Sequence, residues 1–99
     1  MRTVALTRAA LADLKSIATY TQQRWGVRQR NSSLKEIDQV LRALAKNPLM
    51  GQAYEELREG YRKFPHGSHV IYYQLHGEDE LLVVRMLHMT MDIDFNIGA

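Results

Sequence analysis

The chain contains no cysteine. That removes disulfide cross-links, thiolate nucleophiles and zinc–sulfur sites at once. A cytoplasmic location is the default expectation for such a composition. It also lacks any run of about eighteen apolar residues, so no helical membrane span is expected. The N-terminal stretch Met1-Arg2-Thr3-Val4-Ala5-Leu6 is too short for a signal-peptide core, because Thr7 and Arg8 follow it. The histidines are scattered at positions 66, 69, 76 and 88, and no predicted helix carries two at ligand spacing. No metal and no cofactor are expected. Internal repeats and low-complexity tracts are also missing.

What is present suits one small domain spanning residues 1–99. An apolar content of 45% is too high for a disordered chain. The net charge of +2 is mild and by itself points to no nucleic acid, although a basic balance suits an acidic partner.

Arg2 to Leu6 reads as a strand, and Thr7 as the N-cap of a helix. Leu11, Leu14, Ala18, Thr21 and Trp25, with Ala10 and Ile17 beside them, recur at three- and four-residue steps. Asp13 near the start suits the helix dipole, and Gly26 ends the helix. Leu34, Ile37, Leu41 and Leu44 mark a second helix. It either starts at Val27, the favoured reading, or is capped afresh at Asn31. Asn47-Pro48 stops it. The two helices make an antiparallel hairpin. Residues 48–60 form a connector in which Tyr54 to Arg58 is helix-compatible.

The final third is β-rich. Tyr61 to Phe64 is a short strand closed by Pro65 and Gly67, and His69 to Leu75 a second. Residues 76–79 read as a hairpin turn, with Leu81 to Leu87 returning. The apolar run Leu81 to Val84 suggests a central strand covered on both faces. Beyond Met89 no period is evident. The fold class is α+β: an N-terminal strand, an antiparallel helical hairpin, then a three-stranded antiparallel meander completing a small antiparallel sheet.

Several phrases occur in a telling order. Leu6-Thr7-x-x-Ala10-x-x-Asp13-Leu14-x-x-Ile17 opens the first helix, and Tyr20-Thr21 with Arg24-Trp25-Gly26 closes it. Leu44-Ala45-x-Asn47-Pro48-x-x-Gly51 ends the second. Glu56-Leu57-Arg58-x-Gly60-Tyr61-Arg62-Lys63-Phe64-Pro65-x-Gly67-x-His69-Val70-Ile71-Tyr72-Tyr73 leads into the sheet, and Val84-Arg85-Met86-Leu87-His88-x-x-Met91-Asp92 ends the last strand. Over positions 6 to 92 the chain resembles the ParE branch of the RelE/ParE toxins. The resemblance implies a toxin that traps DNA gyrase on cleaved DNA, touching DNA only through gyrase. It also implies a ParD-type antitoxin that binds and silences the toxin in a hetero-oligomer.

The superfamily also contains ribosome-dependent mRNA endonucleases, whose sites need groups that move a proton and stabilise a phosphorane. Here His88 with Arg62 or Arg85 would serve that alternative. Against it, the position that is commonly basic in the related nucleases is Val70, which holds no phosphate. The preferred reading assigns no catalytic residue. Arg58, Arg62, Lys63, His66 and His69, interleaved with Tyr61 and Phe64, are candidates for partner binding. The same charges also suit an edge strand that wards off strand pairing, or contacts to phosphates. His69 and His88, beside apolar neighbours, also fit packed side chains with one hydrogen-bonded nitrogen. Glu55-Glu56 is no acid–base pair, because adjacent helical residues point apart. Trp25 and the leucine stripes are expected in the hairpin core, with an outer groove that fits an antitoxin helix.

Overall fold

The computed structural model of the chain describes residues 2–91. The expected end of the aperiodic tail, residues 92–99, lies outside them. The elements are β1 (Thr3–Leu6), α1 (Arg8–Trp25), α2 (Val27–Lys46), β2 (Gln52–Ala53), β3 (Tyr61–His66), β4 (His69–His76) and β5 (Glu80–His88), with a 3-10 turn at Pro48–Met50.

Helix α1 begins where expected. The Thr7 hydroxyl accepts the Ala10 N–H at 3.0 Å and donates to the Val84 carbonyl at 2.7 Å. One side chain thus caps the helix and anchors it to β5. Gly26 alone joins the helices. Its φ of 95° reverses the chain where a side chain would be strained. Helix α2 runs unbroken from Val27 through Asn31-Ser32-Ser33, as the favoured reading holds. Arg30 reaches Asn31 and Gln22 there, and Gln29 reaches Ser33, so the polar stretch bonds among its own side chains.

The sheet order is β1-β5-β4-β3-β2. Strands β3, β4 and β5 form the expected antiparallel meander, but β1 lies parallel to β5, with Thr3 opposite Glu80 and Leu6 opposite Val83. The sheet is therefore mixed rather than antiparallel. The hairpin carries the chain away from β1 and back before the meander starts, so β5 arrives running the same way. Three local expectations also change. Tyr54 to Arg58 forms turns, not a helix, and a two-residue strand β2 precedes it. Strand β3 continues through Pro65 to His66.

The core lies between the hairpin and one sheet face. Ala10, Ile37, Leu41 and Leu44 meet Ile71, Tyr73, Leu81, Val83 and Met86. In α1 the buried residues are Ala10 and Thr21, with Leu14 and Ile17 partly covered. Leu11 and Trp25 lie on the surface, Trp25 with 61% of its area exposed, contrary to the expected core placement. The outer sheet face is covered at one end, where Tyr54 and Leu57 pack on Tyr72, Val70 and Leu87. Strand β5 thus has both faces covered over part of its length.

A β-bulge interrupts the β4–β5 ladder. Tyr72 pairs with Arg85 and Tyr73 with Val83, so Val84 is the extra residue. The bulge resets the side-chain alternation. Leu81 and Val83 face the helices before it, and Met86 does so after it.

Candidate partner-binding surfaces

The basic candidates do not share one surface. Arg62 lies on the helix side. Its Nε and Nη2 both donate to the Gly51 carbonyl, at 3.1 and 2.5 Å. Gly51 is held again from below. Its N–H donates to the Tyr73 hydroxyl at 3.0 Å, and that hydroxyl donates to the Pro48 carbonyl at 2.5 Å. Arg62 therefore closes a structural knot that ties the 48–53 connector to the sheet. Burial, its largest cause, raises the Tyr73 pKa, and the hydrogen bonds from Arg62 and Gly51 oppose it. The phenol stays protonated and keeps its donor role.

Lys63 points to the opposite face, where its Nζ sits 4.2 Å from the centre of the Tyr54 ring. Arg58 is exposed in the turn before β3. Val70, weighed against the nuclease alternative, packs into the outer apolar cluster.

Arg85 is committed to Asp13. Its Nε lies 2.7 Å from Oδ2 and its Nη2 2.9 Å from Oδ1, with the side chains 18% and 14% exposed. The hydrogen bond to Asp13 raises the Arg85 pKa further above its ordinary range. Asp13 Oδ2 also accepts the Met86 N–H at 3.0 Å. The sequence linked Asp13 only to the helix dipole. Its tertiary role, clamping α1 onto the bulged part of β5, has no local sequence signal.

His66, His69 and His88 lie together at one end of the helix-facing side. They line a groove of about 720 Å³ between hairpin and sheet, whose outer wall includes Tyr20 and Trp25. These two rings meet edge to face at 6.1 Å, with Arg24 against both. His69 and His88 also meet edge to face, at 5.6 Å. The His88 Nδ1 is 2.8 Å from the Thr90 hydroxyl. His76 stands apart, beside Glu80. Among the described residues no cluster suits a metal ion.

Burial, then the neighbouring His88 and His66, lowers the His69 pKa below its ordinary 6.5, and Asp13 opposes the shift. The unfolded chain then binds the proton better than the folded one. The His69 contribution is full above pH 6.5 and is lost as pH falls from there through the lowered folded value. Urea unfolding at about pH 7.5 and about pH 5.5 is expected to show an acid loss of stability that shrinks in His69→Gln. An equal loss in both proteins would place the acid sensitivity elsewhere.

The chain matches the family model described as "ParE toxin of type II toxin-antitoxin system, parDE" over residues 4–93. This chain belongs to the ParE toxin family. A Toxin ParE1 of Mycobacterium tuberculosis is 44% identical over 92 residues, covering 93% of this chain and 94% of the relative. A Toxin ParE1 of Caulobacter vibrioides is 40% identical over 98 residues, covering 99% and 100%. Among solved structures, the chromosomal ParDE toxin–antitoxin system of P. aeruginosa superposes with a TM-score of 0.72 at 19% identity, over 89% of this chain and 96% of that one. The RelBE2 toxin–antitoxin complex of M. tuberculosis gives 0.64 at 21%, over 88% and 96%. At these identities the structural likeness establishes the RelE/ParE-like fold, and the ParE assignment stands on the sequence matches. Among the described residues, no helix of this ParE toxin is long and apolar enough to cross a membrane.

Proposed function

We propose that this toxin acts in the cytoplasm by binding DNA gyrase and holding it on cleaved DNA, with no bond-making step of its own, and that a ParD-type antitoxin silences it. The observation that carries the binding-only reading is the engagement of two of the three nuclease candidates. Arg62 holds the Gly51 carbonyl and Arg85 holds Asp13. A phosphorane needs donors aimed at its oxygens, and spending these guanidiniums on the reaction would undo two tertiary clamps. His88 lies in the groove beside His69, while Arg62 is anchored at the connector.

The antitoxin part is supported by the family and by two features of the surface. The outer edge of β1 pairs with no strand among the described residues. Beside it, a groove of about 630 Å³ runs between β1 and α2, lined by Val4, Leu14, Leu34 and Leu41. An open edge accepts a strand and an apolar groove accepts a helix.

Incubation with gyrase, ATP and supercoiled plasmid is expected to yield linear DNA after deproteinisation. Ribosomes programmed with mRNA are expected to leave the message intact. Unaltered supercoiling at toxin in molar excess over gyrase would refute the proposal. RNA cleavage that disappears in His88→Ala would establish the nuclease instead. Exposed Arg58 and surface Lys63 are expected to matter for gyrase inhibition more than for stability, since surface substitutions change stability by about 0.5 kcal/mol or less. Loss of activity that tracks loss of folding in Arg58→Ala/Lys63→Ala would make that segment structural.

A further inference from the structure

Strand pairing places three of the four histidines in one row. His66 on β3 faces His69 on β4, and His69 faces His88 on β5. All three line the larger groove, together with Ile17, Tyr20 and Trp25 of α1 and Met91 beyond β5. Tyr20, Trp25 and Met91 are each more than half exposed. The result is an apolar trough with a floor of imidazoles.

Among the described residues, the other charged groups facing the row come from three elements. Asp13 projects from α1, Glu36 from α2 and Arg85 from β5. Asp13 and Arg85 neutralise each other. Glu36, 4.0 Å from His66, is the one carboxylate within ion-pair distance of the row among the described residues. With neutral imidazoles the lining carries one excess negative charge, that of Glu36. With all three protonated it carries two excess positive charges. Histidine is the side chain whose charge most readily changes near neutral pH, so protonating the row reverses the sign of the lining.

We propose that this groove is a proton-linked docking site for an apolar, carboxylate-bearing segment of the antitoxin, which binds with the histidines protonated and therefore more tightly as pH falls. The inference rests on the antitoxin reading above and adds the chemistry of one contact. In the open groove, burial and then the neighbouring His88 and His66 work against charging His69. An incoming carboxylate supplies the counter-charge that Glu36 provides only to His66. Apolar side chains between the carboxylates cover Ile17, Trp25 and Met91. Excluding water from the trough then strengthens the ion pairs.

The probe is a short blocked peptide in which glutamate alternates with leucine, compared with its glutamine counterpart, titrated calorimetrically into the full chain between about pH 5.5 and about pH 7.5. Uptake of one proton makes the affinity rise about tenfold per pH unit as the pH falls from the histidine's bound-state midpoint to its free-state midpoint. That rise is expected for the glutamate peptide and not for the glutamine one. In the parent chain the His69 ring C–H resonance, whose midpoint the open groove lowers, is expected to titrate at higher pH when the peptide is present. The variant His66→Gln/His69→Gln/His88→Gln is expected to lose the pH dependence. Equal affinity at both pH values, an unmoved His69 midpoint or no peptide binding would each overturn the proposal. A complex with the antitoxin from the neighbouring reading frame, formed without any peptide response, rejects the groove and leaves the pairing. No such complex at any pH rejects the pairing itself.

Discussion

Asp13→Ala is expected to lower the unfolding free energy by about 3 kcal/mol, the order found when one partner of a largely buried ion pair is removed. Among the described residues, the Arg85 Nε and Nη2 and the Met86 N–H all donate to this carboxylate. Alanine takes the Asp13 carboxylate away from a guanidinium 18% exposed and the acceptor away from a strand N–H. Asp13→Leu/Arg85→Met is expected to recover most of the loss, because the charge that must be desolvated is then gone as well. Urea denaturation of the single and double variants measures both effects. A single variant as stable as the parent would show that the contact between α1 and β5 does not depend on the pair. The gyrase assay on the double variant adds a second readout. Activity retained in a chain lacking Arg85 would further separate that residue from any catalytic role.

Gly51→Ala is expected to destabilise the fold by a similar amount, about 3 kcal/mol, summing overpacking and disturbed buried hydrogen bonds. The backbone at Gly51 has φ −80° and ψ 155°, which any residue adopts. The obstacle is space, since a Cβ there would overlap the Tyr73 phenol. Tyr73 is fully buried and cannot retreat, and its hydroxyl is held by Pro48 and Gly51. Introducing Tyr73→Phe into the alanine variant removes the overlapping oxygen, so the two changes together are expected to cost less than their sum. Thermal unfolding of the four proteins of this cycle reports the coupling. Additive losses would mean that the glycine and the phenol do not touch. Arg62→Ala should weaken the same connector, since its guanidinium bonds to the Gly51 carbonyl.

Much of this architecture was legible in the sequence because the signals are local. Three- and four-residue spacing of apolar side chains identifies α1 and α2, Gly26 the turn between them, and Pro48 the stop. β-branched and aromatic runs identify β4 and β5 to within a residue of their observed ends. The misplacements occurred where neighbours decide. Tyr54 to Arg58 has helix-compatible residues, yet Tyr54 and Leu57 are drawn onto the outer face by Tyr72 and Leu87. Trp25, at the end of its stripe, stays 61% exposed and meets Tyr20 edge to face. Pro65 stays within β3, although its residue type, with Gly67, predicts the close of the strand.

The sequence by itself determined the helical hairpin, the meander, the α+β class and the ParE family, because each is written in short-range periodicity or in phrases of consecutive residues. Only the tertiary structure decided what the charged side chains do. Arg58, Arg62 and Lys63 are near neighbours in the chain, yet Arg62 faces the hairpin and Lys63 the opposite side, since successive strand residues alternate. Asp13 and Arg85 are far apart in sequence and meet only when α1 lies on β5. The histidine row depends on the bulge at Val84. Were residues 81–88 to alternate regularly with no bulge, His88 would fall on the face opposite Leu81 and Val83, because the bulge shifts the alternation of every later side chain by one.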